Sequence, residues 1–175
     1  MNMELIVWLF PVIFMLHDFE EIIFVKVWRE RYQQERSLSK MKKKPFDHFQ
    51  STASFSIGVE IIFIILSAVS LFSVILNSFF IWYGLLFAII SHFVIAHIRM
   101  TVQFRHYTPG VFTSVIFLPV TIYLLYMATK LLNYDLTEII FSCLSGIFIL
   151  VIVFYTLINL EGILDRGLTQ YSKRK

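Results

Sequence analysis

An all-α fold, a polytopic bundle of five membrane-spanning helices, is predicted by three observations: composition, apolar runs of spanning length, and charge confined to alternate connections. Hydrophobic residues make up 58% of the 175-residue chain and charged ones 15%, against roughly 45–50% and 25% in soluble domains. Mean hydropathy is +0.75, more apolar surface than a soluble core of this size could cover. The period-2 alternation of a membrane barrel is absent, and helices are the other way to satisfy backbone groups in lipid. A single domain over residues 1–175 follows from the length.

The spans fall at about 4–27, 53–77, 79–104, 110–132 and 138–160, each near the ~20 residues that cross ~30 Å of hydrocarbon. Asn77-Ser78 turns between the second and third, and Asn133–Thr137 separates the fourth from the fifth. Thr108-Pro109-Gly110 opens the fourth, since Pro is tolerated in a first helical turn. The N-terminus carries no early Lys or Arg and no small-x-small cleavage pattern, so the first span is expected to remain in the mature protein. The loop over 28–52 and the tail over 161–175 are basic. With Lys26, Arg99 and Arg105, these place 14 of the 15 basic residues on one side. The positive-inside rule then predicts N-terminus out and C-terminus in, a multi-pass protein of the inner (plasma) membrane. The pI near 9.0 is accounted for by anionic headgroups, without nucleic acid. Cys143 is the only cysteine, which excludes an internal disulfide.

Against this apolar background, His17-Asp18-Phe19-Glu20-Glu21 stands out, because an ionisable residue at membrane depth costs ~3 kcal/mol or more. At 1.5 Å per residue, His17 and Glu60 each lie roughly 13 Å from the cytoplasmic end of their spans and His97 roughly 12 Å. Three helices thus bring polar groups to one depth. His17 shares a helix face with Glu20 (i+3) and Glu21 (i+4), and imidazole with carboxylate suits zinc, iron or manganese. The expected ligands of a divalent metal are His17, Glu21, Glu60 and His97, with Glu20 and Glu60 as catalytic carboxylates. His92, Arg99 and Tyr107 are expected around them. In α-helical geometry His92 points about 140° from His97, so one of the two is expected to serve packing or to stand behind the ligands. Two structural alternatives stand beside this reading. His17 with Glu20 and Glu21 would make a self-satisfied packing cluster, or Lys26 and Arg29 would neutralise the two glutamates at the interface.

These residues resemble a known family. Leu9-Phe10-Pro11, the His17-x-x-Glu20-Glu21 motif, Glu60, His97 and the Arg105-x-Tyr107-Thr108-Pro109-Gly110-x-x-Thr113 segment together look like the bacterial HXXEE-domain membrane proteins, over roughly residues 5–125. The resemblance implies a shared site of His17, Glu20, Glu21, Glu60 and His97, and no particular reaction.

Three function classes fit. The first is a small intramembrane metal-dependent hydrolase or oxidoreductase, acting on a lipid-like substrate from the cytoplasmic leaflet. The second is a proton- or cation-binding transporter component. The third is a non-catalytic accessory or immunity-type membrane protein. Membrane lipids are the expected surroundings, and a homodimer would supply the symmetry a transporter needs.

Overall fold

The computed structural model describes residues 2–42 and 44–173; the basic residues Lys43, Arg174 and Lys175 lie outside them. The order is α1 (Met3–Arg31), α2 (Gln33–Leu38), α3 (Thr52–Ile75), α4 (Phe80–His92), a π-helical segment (Phe93–Ile98), α5 (Arg99–Phe104), α6 (Val111–Leu132) and α7 (Leu136–Lys173). No strand occurs among the described residues.

Helix boundaries follow local chemistry. The Asn2 side chain accepts the Leu5 N–H at 3.1 Å and caps α1, while Ser51 and Ser54 form a reciprocal capping box on α3. The helices end where a residue turns left-handed: Asn77 (φ 48), Arg105 (φ 61) and Asn133 (φ 50). Asn is among the residues that tolerate this region best. The turns expected at 77–78, 108–110 and 133–137 are therefore present.

Four helical stretches are long and apolar enough to cross a membrane: Thr52–Ile75, Phe80–Phe104, Val111–Leu132 and Leu136–Lys173. They correspond to four of the five expected spans and point to a membrane protein. The first expected span does not qualify, because Asp18, Glu20 and Glu21 put three carboxylates into its apolar run. The expected tail over 161–175 is not a loop either, since α7 continues unbroken to Lys173.

α1 packs chiefly on α3 and α6, and α4 on α7. Ile6, Val7, Phe10, Leu66, Trp82, Leu86, Ile89 and Phe93 are fully buried between them, and Phe10 meets Trp82 edge-on at 6.0 Å. The Ser70 hydroxyl donates to Val7 O at 3.2 Å and ties α3 to α1. Gly84 and Gly146 face each other in direct backbone contact, where any Cβ would overlap the opposite helix. Small residues of this kind let helices without a hydrophobic driving force approach closely. The Ser142 hydroxyl, donating to Phe80 O at 2.6 Å, fastens the same pair.

A buried histidine and carboxylate centre

The centre lies where α1, the π segment and the start of α6 meet. α1 places His17, Asp18, Glu20 and Glu21 toward the interior, all buried. The π segment supplies the second wall. A π-turn closes i→i+5 bonds, so His92 and His97, five residues apart, come onto one face instead of diverging by 140°. Their Nε2 atoms are 3.0 Å apart. Both histidines therefore reach the site, which α-helical periodicity alone misplaces.

His17 Nε2 lies 3.2 Å from His97 Nε2, and Glu21 Oε1 lies 3.4 Å from the same nitrogen. The other ring nitrogens fix the tautomers. His97 Nδ1 faces the Pro109 carbonyl at 3.3 Å and must donate to it, leaving Nε2 as a lone pair. His17 Nδ1 is 3.0 Å from Thr113 Oγ1. That hydroxyl spends its one proton on Glu20 Oε2 at 2.6 Å, so it accepts from His17, whose Nε2 is also a lone pair. Two imidazole nitrogens and the Glu21 oxygen thus crowd together, and only a proton carried by His92 or Glu21, or a cation, can lie between them. Donors held about 2.0–2.2 Å from a tetrahedral ion stand about 3.3–3.5 Å from each other. His97 Nε2 stands 3.0, 3.2 and 3.4 Å from His92, His17 and Glu21 donors, close to that spacing. His17, His92 and His97 form one group able to hold a metal, and His17, Asp18 and Glu21 an overlapping one.

Glu20 is occupied elsewhere. It accepts from the Tyr107 hydroxyl at 2.6 Å, the Phe112 N–H at 3.4 Å, and the Thr113 N–H at 2.8 Å, besides the Thr113 hydroxyl. It thereby caps α6 from another helix, an anion against a helix N-terminus, and leaves no free lone pair aimed at the histidines. The expected catalytic role for Glu20 is thus replaced by a positioning one. Tyr107 is found as expected, and burial with the Glu20 bond raises its hydroxyl pKa.

Glu60 does not join the site. Depth gives its height but not its azimuth: α3 buries Val59, Ile62 and Leu66, and Glu60, one residue round from Val59, is exposed. Arg99 is exposed as well. The interfacial alternative for Glu20 and Glu21 also fails. Both are 7% exposed, and Arg29 instead donates to the carbonyls of Phe46 and Phe49. Asp18 is the residue the sequence reading passed over. It is 6% exposed and its Oδ2 has no hydrogen-bond partner, which for a buried carboxylate is costly. The only signal was its place among the motif's charges.

The Tyr107–Gly110 turn shapes the remaining side. Tyr107 holds Glu20, Pro109 holds His97, and Gly110 (φ 86) has room for no Cβ, which would stand 2.5 Å from His97 Nδ1 and 2.8 Å from Glu21 Oε1. A cavity of about 210 Å³ reaches the centre, with Asp18, Glu21, His92 and His97 in its wall together with Glu161 and the half-buried His48. At about 30 Å³ per water, it is larger than a few trapped waters need.

The fold and site define a class: a membrane-type helical bundle in which buried His17, His97, Asp18 and Glu21 cluster with half-buried His92 beside an apolar cavity. A family model described as a protein of unknown function with HXXEE motif matches residues 8–124, about two-thirds of the chain, and the chain belongs to that family. No curated protein and no solved structure matches it.

Proposed function

We propose that this chain is a metal-dependent membrane enzyme in which His17, His92 and His97 hold one divalent ion with Glu21 as fourth donor. The observation that carries this reading is the meeting of the His17 and His97 Nε2 lone pairs and Glu21 Oε1, an arrangement that a cation between its members would satisfy. Charge agrees: one divalent ion balances Asp18 and Glu21, neither of which pairs with a Lys or Arg among the described residues. The Thr113 and Pro109 contacts are of the kind that orient metal-bound imidazoles. Zinc, iron and manganese suit the donor set. Such an ion supplies a Lewis acid and an activated water. Asp18, in the cavity wall with a free oxygen, is placed to orient that water or the substrate. Glu60, exposed on α3, has no part in this chemistry.

The membrane placement is the finer part of the proposal. α1 carries an outward stripe of exposed Leu5, Trp8, Val12, Leu16, Phe19, Ile23 and Val27. It runs about 33 Å at 1.5 Å per residue, close to the ~30 Å of a bilayer core. Asp18, Glu20 and Glu21 are all on the opposite, buried side, so α1 is read as a fifth span lined by lipid on one face. The basic residues then set the C-terminus inside, in the inner membrane, and a lipid-like substrate reaches the cavity from the cytoplasmic leaflet.

Elemental analysis of protein purified without chelators tests the reading. About one equivalent of zinc, iron or manganese is expected, lost in His92→Ala and retained in Glu60→Gln. Folded wild-type protein that is free of metal would overturn it, and would return the cluster to a shared-proton relay or a packing device.

A further inference from the structure

The cavity wall is selective in charge as well as in shape. Phe14, Val59, Ile62, Phe154, Leu157 and Ile158 are part of its apolar lining. Gly58 also lines it, and a Cβ added there would meet no atom within 4 Å, so α3 leaves a slot one side chain wide. Between Phe154 and Leu164 the cavity follows α7 for about 15 Å, half the thickness of a bilayer core. Its ionisable lining is Asp18, Glu21 and Glu161 with His48, His92 and His97, and no Lys or Arg takes part. Glu161 is 5% exposed. It accepts the Gln50 N–H through Oε1 at 3.0 Å, while Oε2 stands 3.9 Å from His48 Nε2 and is free to accept another donor. Arg29 makes no ion pair with it and is bound to loop carbonyls.

We propose that this cavity takes one alkyl chain of a membrane amphiphile whose head donates hydrogen bonds (an alcohol or an amine), and that it rejects carboxylate and phosphate heads. The chain lies over Gly58 and the head meets Glu161 at the mouth. The proposal rests on the metal-centre reading, because the ion balances Asp18 and Glu21 and leaves Glu161, with His48 at 3.9 Å and no Lys or Arg ion pair, as the lining carboxylate open to a donor head. An anionic head brought against Glu161 meets like charge in a desolvated place, a penalty that like-charge contacts generally carry.

The test uses the full chain in phosphatidylcholine nanodiscs with three hexadecyl probes, each bearing a diazirine in the chain and differing only in a hydroxyl, ammonium or carboxylate head. The hydroxyl and ammonium probes are expected to label residues 54–62 and 154–164, and the carboxylate probe at least about tenfold less. Gly58→Phe fills the slot and should abolish labelling by all three, whereas Gly58→Ala keeps it. Glu161→Gln retains the acceptor for Gln50 and should raise carboxylate labelling toward that of the other probes. Equal labelling by the carboxylate probe in the wild type overturns the proposal, as does undiminished labelling of folded Gly58→Phe. Metal content measured on the same samples separates the two readings. Metal-loaded protein without head selectivity sinks this proposal alone, and metal-free protein sinks the metal centre.

Discussion

Gly110→Ala is the sharpest single perturbation of the centre, because it reaches the ligands without removing one. Two effects combine. The residue sits at φ 86, where an L side chain costs roughly 1–2 kcal/mol. The new Cβ would also stand 2.5 Å from His97 Nδ1 and 2.6 Å from its Cε1, against about 3.4 Å for ordinary contact, so the ring must retreat by about 0.9 Å. Metal–ligand distances tolerate about 0.2 Å, and loss of an orienting partner alone weakens metal sites by about 10–100-fold. The expected result is a metal affinity lower by about 100-fold, measured by competition with a chromophoric chelator, together with a lower melting temperature. Asn77→Ala is the control: Asn77 is left-handed too (φ 48) and exposed, so it carries the backbone strain with no histidine to displace. If Gly110→Ala loses stability as Asn77→Ala does but binds metal as the wild type does, the packing of the turn against His97 is not what holds the centre.

Other consequences follow from the same contacts. Thr113→Val removes the acceptor of the His17 Nδ1 proton and a donor to Glu20. It should weaken metal binding about 10–100-fold and lower stability by about 1–3 kcal/mol, read by chelator competition and denaturant titration. Glu20→Ala leaves the start of α6 and Tyr107 without their acceptor and should cost about 3 kcal/mol or more. Glu60→Gln removes an ionisable group from an outward face at membrane depth and should leave stability unchanged or raise it, which a thermal scan of both variants compares. His48, outside the spans, is held below its ordinary value of 6.5 by burial and by Arg29. The unfolded chain therefore binds that proton more readily, and stability falls as pH drops below about 6.5. Denaturation curves across that range should lose part of this slope in His48→Gln.

Helix existence, the turns and the height of the polar layer were legible in the sequence because they depend on hydropathy, on Asn, Pro and Gly, and on rise per residue. Azimuth was not. Glu60 and His17 share a depth, yet Glu60 faces outward because the apolar packing of Val59, Ile62 and Leu66 decides how α3 is turned. His92 and His97 failed in the opposite sense. The 100° step predicts divergence, and a π segment cancels it, which no composition signal in Phe93–Ile98 reveals. The motif's two glutamates look equivalent in sequence, but the first N–H groups of α6 donate to Glu20 and not to Glu21, and tertiary placement alone assigns one to capping and the other to the cluster. Thr108-Pro109-Gly110 was legible as a helix start, and only resemblance tied the Tyr107–Gly110 turn to the site; its contacts now show how it is tied.

The length of α7 has a consequence for supply. From Leu136 to Glu161 the helix rises about 38 Å, more than the ~30 Å hydrocarbon core and less than the ~40–45 Å that includes the headgroups. On the proposed placement, Glu161 and the cavity mouth stand in the headgroup layer while the chain-binding walls reach down into the core. An amphiphile could then slide in sideways with its head still at the interface and never cross water. Occupancy would follow the mole fraction of that lipid in the leaflet, and its solubility in the cytoplasm would not matter.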